Sequence, residues 1–278
     1  MDSQEFSLLL ALGGAAAGLV GSLTGLGGGI VIVPFLALGL GVDLRYAIGT
    51  SLITIIATSS GAAAAYVKEG YTNFRIGMFL EIATTVGAML GAYLAVMVST
   101  SALAALFGAV LFYSAYLSNR PRPERPETAL PDRLATVLKM DSSYPTADGP
   151  RSYRVSNIPG GFALMFIAGG LSGLLGIGSG AVKVLAMDQV MRIPFKVSTT
   201  TSTFMIGVTA AASAGVYLGR GYIDPVLAMP VMLGVLAGSM LGAKALARAE
   251  TRILRIVFSL VILGLGAELI YNGLTGRI

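Results

Sequence analysis

The chain has 278 residues, 55% of them hydrophobic and only 12% charged, with a mean hydropathy of +0.79; soluble domains carry about a quarter charged residues. It contains no Cys and no His, which excludes a disulfide framework, a His- or Cys-based metal site, haem ligation and thiol catalysis. The formal net charge of +5 is spread over loops and reads as membrane-interface chemistry, not as a nucleic-acid surface.

The opening Met1-Asp2-Ser3-Gln4-Glu5 is acidic, whereas the n-region of a cleaved signal is basic, so the first hydrophobic segment is expected to be retained. From Phe6 to Val42 no residue is charged. Inside that run lies Thr24-Gly25-Leu26-Gly27-Gly28-Gly29, followed by Ile30-Val31-Ile32-Val33-Pro34. Five small or flexible residues in six positions predict a broken helix. A break at membrane depth survives only where protein surrounds it or where it lines a cavity. Close helix packing is one use of such glycines. A substrate site is the other, because half-helix N-termini direct N–H groups and partial positive charge at whatever occupies the gap.

Spans need about 20 apolar residues, and such stretches fall at roughly 7–39, 47–67, 75–97, 100–118, 159–187, 199–219, 225–244 and 252–272. The expected fold is an all-α polytopic membrane protein of about eight transmembrane helices, arranged as two homologous four-helix repeats with Gly-broken helices. Residues 1–118 would form the first repeat, 119–158 a Pro/Arg-rich linker and 159–278 the second repeat.

Pro34 is expected to end or kink the resumed helix. In the second span Thr50, Thr54 and Thr58 share one helix face. They either bond back to their own helix or present donors, together with Ser51, to an oxyanion. Glu81 lies about two turns into the third span beyond Arg75. An intramembrane carboxylate is a candidate coupling residue, and pairing with the Arg75 end is the alternative. The stretch Arg120-Pro121-Arg122-Pro123-Glu124-Arg125-Pro126 cannot be membrane helix. Beyond it, Asp132–Met140 reads as a short helix and Tyr153-Arg154-Val155 as an extended piece.

Shifting the chain by the 151 positions that separate Gly25 from Gly176 aligns the halves without a gap from about Ser22 to Ala92. Gly27 meets Gly178, Gly29 meets Gly180, Thr50-Ser51 meets Thr201-Ser202, Thr58 meets Thr209, and Gly87 and Gly91 meet Gly238 and Gly242. Paired interrupted segments of this kind point to the substrate site of a secondary transporter. Four spans per repeat would give both halves one orientation; a re-entrant hairpin in the first segment would change that parity. Two of the differences between the halves concern charge. Lys183 stands in the place of Ile32, and Met232 in the place of Glu81. Lys183 either snorkels beside Asp188 or supplies positive charge to an anion. The Lys and Arg bias favours cytoplasmic termini only when the linker is counted.

With its repeated Gly25-Leu26-Gly27-Gly28-Gly29 and Gly176-Ile177-Gly178-Ser179-Gly180, Pro34, Gly49-Thr50-Ser51-Leu52, Thr200-Thr201-Ser202-Thr203-Phe204 and the GxxKV pattern at Gly180–Val184, the chain resembles the TauE/SafE (sulfite exporter) family over nearly its full length. The resemblance implies a multi-pass transporter in the bacterial inner membrane. It would export small anions such as sulfite or organosulfonates, coupled to an ion gradient. A passive anion channel and an uptake permease are the alternatives. No enzyme activity, cofactor or metal is expected. The partners implied are a small anionic substrate, the lipid bilayer and, as an open option, a second copy of the chain. The expected substrate-binding residues are Thr24, Gly25, Gly27, Gly28, Gly29, Thr50, Ser51, Gly176, Gly178, Ser179, Gly180, Lys183, Thr201 and Ser202, with Glu81 for coupling. Ser179 replaces a usual glycine and Leu185 a common proline, which leaves the shape of the second break open.

Overall fold

A computed structural model describes residues 3–24, 27–68, 70–95, 97–118, 132–146, 149–176 and 178–248, with isolated positions between 260 and 275. Gly25, the Arg120–Pro126 stretch and most of the span expected at 252–272 lie outside the described residues. The helices are α1 (Ser3–Thr24), α2 (Gly29–Pro34), α3 (Leu44–Lys68), α4 (Phe74–Leu94), α5 (Thr100–Ser118), α6 (Arg133–Val137), α7 (Ile158–Leu175), α8 (Gly180–Leu185), α9 (Phe195–Gly219) and α10 (Pro225–Arg248). Among them, α1, α3, α4, α7, α9 and α10 contain segments long and apolar enough to cross a membrane. The fold is an all-α polytopic bundle with one small hairpin, β1 (Ser142–Thr146) antiparallel to β2 (Gly149–Tyr153).

The long helices carry large apolar side chains on their outer faces, while their glycines and polar side chains lie inward among buried aliphatic ones such as Leu52, Ile76 and Leu80. On α4, Met78, Ile82, Val86, Met89 and Tyr93 are exposed, while Gly77, Glu81, Thr84, Gly87 and Gly91 are buried. This is the arrangement expected in lipid, where close backbone approach and not burial of oil holds helices together. A methyl group placed on Gly18 would strike the Val235 carbonyl, and one on Gly169 the Thr84 carbonyl. Gly238 meets Ala15 as Gly87 meets Phe166, and Gly242 meets Leu19 as Gly91 meets Gly170. Each of these contacts becomes its partner when the two halves exchange places through the 151-residue shift.

The same contacts fix helix directions. Residues 11, 15 and 19 of α1 advance with 234, 238 and 242 of α10, so those two helices run parallel. Residues 84 and 88 of α4 advance with 169 and 173 of α7, which makes that pair parallel too. On α3, Gly49 lies on Tyr222 and Gly61 on Ser239, so α3 also runs with α10. Because α3 and α4 are joined by a short turn and point opposite ways, α1 and α7, the opening helices of the two halves, are antiparallel.

The reversal comes from the Gly-rich breaks. Gly28 packs on the Ala17 carbonyl and Gly13 on the Phe35 ring, so α2 runs back along α1 instead of continuing it. In the second half Gly161 packs on Met191, and the Ser156 amide donates to the Met191 carbonyl at 3.1 Å, so α8 returns along α7 in the same way. Each first segment is therefore a helix plus a re-entrant half-helix. The parity that would give both halves one orientation does not hold, and the halves are inverted.

Pro34 does not end the returning helix. α2 passes into a π-helical turn over Phe35–Gly39, and α8 does the same over Ala186–Val190. Leu185 occupies the position of Pro34, yet the bounds of the two half-helices coincide under the shift. The widened turn therefore needs no proline.

Between the halves, Asp132 caps α6 by accepting from the Leu134 amide at 2.9 Å. The hairpin docks on the α3–α4 turn through Asn73, whose side-chain amide donates to Tyr153 Oη at 2.7 Å and to the Met140 carbonyl at 3.1 Å. Asn73 Oδ1 also accepts from the Ile76 amide, capping α4. Arg75 donates to the Lys139 carbonyl at 3.0 Å and so faces the linker, not Glu81.

Candidate substrate site at the paired helix breaks

The two breaks meet. A methyl group on Gly29 would lie 2.8 Å from the Gly176 carbonyl oxygen. Gly27 and Gly178 have nearly the same backbone, with φ of 69° and 71°, in the left-handed region that favours glycine. Both face the same two side chains, Ile55 and Ile206. Those isoleucines exchange under the 151-residue shift and are fully buried near the centres of 25-residue α3 and α9. Sequence reasoning missed them, although the alignment of the halves would have paired them.

The half-helices begin at this meeting point and run away from it in opposite directions. Neither N-terminus has a side-chain cap, so the first amides, which have no partner within a helix, are directed at the junction. Gly28 has a right-handed backbone, whereas its counterpart Ser179 sits at φ 46°. A serine there is strained, and its buried Oγ has no hydrogen-bond partner.

The hydroxyls divide into groups. Thr54 and Thr58 donate to the Ser51 and Thr54 carbonyls of their own helix, which is the structural reading of that face. Ser51 reaches across the halves to the Gly176 carbonyl at 2.5 Å, with Ile48 O at 2.8 Å. Ser202 approaches the Gly180 carbonyl at 3.4 Å. Thr50 is buried with no partner for its Oγ1. Thr201 is drawn away from the junction, because its Oγ1 accepts from the Asn73 amide at 3.0 Å in the α3–α4 turn. Thr24 closes α1, beside Gly25, which lies outside the described residues.

One helical turn from Ile206 on α9, Thr209 links the two ionisable residues. Lys183 Nζ donates to Thr209 Oγ1 at 2.5 Å, and Thr209 Oγ1 donates to Glu81 Oε1 at 2.6 Å. Thr85 adds a donor to Glu81 Oε1 at 3.1 Å. Lys183 Nζ lies 3.9 Å from Glu81 Oε2. Lys183 is fully buried and Glu81 is 8% exposed. Lys183 therefore does not snorkel beside Asp188; it is neutralised by the carboxylate that α4 carries from the other half. The symmetry-related positions hold Ile32 on α2, Thr58 on α3 and Met232 on α10.

A multi-pass bundle whose inverted halves meet at two re-entrant half-helices has the architecture of a membrane transporter. The family model described as sulfite exporter TauE/SafE matches residues 10–269, and the chain belongs to that family. It is 31% identical over 277 residues to the probable membrane transporter protein YunE of Bacillus subtilis, covering 97% of this chain and 99% of that protein. A probable membrane transporter protein of Xylella fastidiosa is 27% identical, with 96% of each chain covered. The probable membrane transporter protein MJ0441 of Methanocaldococcus jannaschii is 25% identical, over 93% of this chain and 94% of that one. No solved structure matches the chain. The protein is thus a multi-pass membrane transporter of the cell membrane, and its kinship points to transport, not to an enzyme activity.

Proposed function

We propose that the protein is a secondary transporter that exports small anions such as sulfite or organosulfonates, binding them where the two Gly-rich breaks meet. The observation that carries this reading is the convergence of the two breaks, with Gly27 and Gly178 both against Ile55 and Ile206 and Gly29 against the Gly176 carbonyl, and with two uncapped half-helix N-termini at the same point. Such termini favour an anion through their free amides and dipoles. Thr50 and Ser179 add buried hydroxyls with no other partner, and Lys183 is the nearby cation. Neutral donors hold an oxyanion without the depth of a fixed charge, which suits a guest that must leave. Rocking of one half against the other about the junction would give access to each side in turn.

The test is flux of sulfite, thiosulfate, sulfonates and carboxylates from proteoliposomes, preceded by a thermal-shift screen of the same anions. Saturable flux that Lys183→Met and Thr50→Val each reduce supports the site. Unchanged flux in both variants removes it, and flux that never saturates indicates a passive channel.

A further inference from the structure

The Lys183–Thr209–Glu81 chain leaves binding capacity unused. An ammonium has three N–H donors, and among the described residues Lys183 engages one of them, with Thr209. Glu81 Oε1 accepts two hydroxyls, whereas the buried Oε2 accepts none. That oxygen faces the ammonium across 3.9 Å, too far for a hydrogen bond. Buried polar groups are seldom left this way without a reason.

Charge decides what can be added. The pair is neutral as it stands, with one ammonium and one carboxylate. An anion drawn to Lys183 would leave a net negative charge beside Glu81 at membrane depth, where uncompensated charge is strongly disfavoured. Among the described residues, no neighbouring helix is seen to supply a second cation. On α3, Arg45 lies over the Tyr222 ring at the helix start. Helices α5 and α7 carry no Lys, Arg, Asp or Glu. On α9 the one charged side chain is Lys196, which lies over the Tyr71 ring at the helix start. On α4, Arg75 is held by the Lys139 carbonyl. The turn after α8 adds only an acid, Asp188. A proton is the remaining compensation, and Glu81 is the group placed to take it. Once protonated, the carboxyl becomes a donor and can join the ammonium in holding the guest.

We infer that the transporter carries one monovalent oxyanion together with one proton, the anion on Lys183 and the proton on Glu81, so that the site is uncharged both empty and loaded. This rests on the proposed anion-transport reading and narrows its substrate to monoanions, such as a sulfonate or hydrogensulfite, since a dianion would leave the loaded site negative. Transport then runs in whichever direction the product of anion and proton activities falls. Export follows when the outward anion gradient exceeds the inward proton gradient. The symmetry-related place, with Ile32 on α2 and Met232 on α10 at the matching positions, holds no second site of this kind.

The experiment uses the full chain in proteoliposomes loaded with 2-hydroxyethanesulfonate and a pH dye, with the membrane potential clamped by valinomycin and potassium. The expected result is anion efflux with internal alkalinisation, one proton per anion, at a rate that an imposed potential leaves unchanged. Glu81→Gln is expected to abolish the proton signal and make the flux follow the potential, and Lys183→Met to cut flux at least tenfold. Wild-type flux that follows the potential without moving protons overturns the inference and leaves the transport reading intact. A proton signal that survives in Glu81→Gln also overturns it. Absence of any anion flux sinks the transport reading itself.

Discussion

Lys183 on α8 and Glu81 on α4 sit 3.9 Å apart with the Thr209 hydroxyl bridging them. Removing one member of a buried pair strands the other charge and costs about 3–5 kcal/mol. Lys183→Met and Glu81→Met should each lower the melting temperature in detergent, while the double variant loses less than the sum of the two. A double-mutant cycle on thermal or denaturant unfolding measures this coupling. Additive losses would mean that the two residues act independently.

Ser179 should show stability and function pulling apart. Its left-handed backbone costs about 1 kcal/mol relative to glycine, and its buried hydroxyl has no partner. Ser179→Gly is therefore expected to raise the melting temperature. If the hydroxyl holds the anion, KM for transport rises roughly five-fold, the equivalent of one hydrogen bond of about 1 kcal/mol. A higher melting temperature with unchanged KM would leave Ser179 outside the binding set.

Much of this arrangement could be read from residue order, and the parts that could not share a cause. The glycine clusters and their 151-residue spacing are local patterns, so the two breaks were legible. Hydropathy counts length and not direction, and residues 7–39 looked like one long span when the chain in fact reverses before Gly29. Likewise, the i, i+4 spacing of Thr50, Thr54 and Thr58 shows which hydroxyls share a face, not which carbonyl each will meet. Thr201 matched Thr50 in sequence, yet the Asn73 amide in the neighbouring turn claims its hydroxyl. The partner of Lys183 was hidden for the same reason, because Glu81 reaches it only through the packing of α4 against α9.

The exchanged glycine contacts make a paired prediction. Adding a methyl group to Gly91 drives it into the Gly170 carbonyl, and adding one to Gly242 drives it into the Ser22 hydroxyl and the Leu19 carbonyl. Overpacking of this kind costs about 1–3 kcal/mol, so Gly91→Ala and Gly242→Ala should destabilise by similar amounts. Gly215 has open space where its methyl group would go. Gly215→Ala should instead stabilise its helix by about 0.5–1 kcal/mol. Thermal melts of the three variants in one detergent decide the matter; equal behaviour of all three would contradict the packing described for α1, α4, α7 and α10.

The linker hairpin should loosen in alkali. Burial pushes the Tyr153 phenol above the ordinary tyrosine pKa of 10.0, and the Asp141 charge adds to this, against opposing hydrogen bonds from Asn73 and Ser142. Below that ordinary value the phenol is neutral whether the hairpin is docked or free, so docking does not depend on pH there. Above it the free phenol ionises while the docked one resists. The contribution of Tyr153 is therefore full below the unfolded pKa and declines as pH rises through the folded one. Tyrosinate absorbance should show a late-titrating phenol in the native protein that Tyr153→Phe removes. The variant also loses the 2.7 Å bond from Asn73, so proteolysis of the hairpin should quicken even at neutral pH. Loss in the variant of a phenol that titrates in the ordinary range would place Tyr153 in water and undo the docking of the hairpin on the α3–α4 turn.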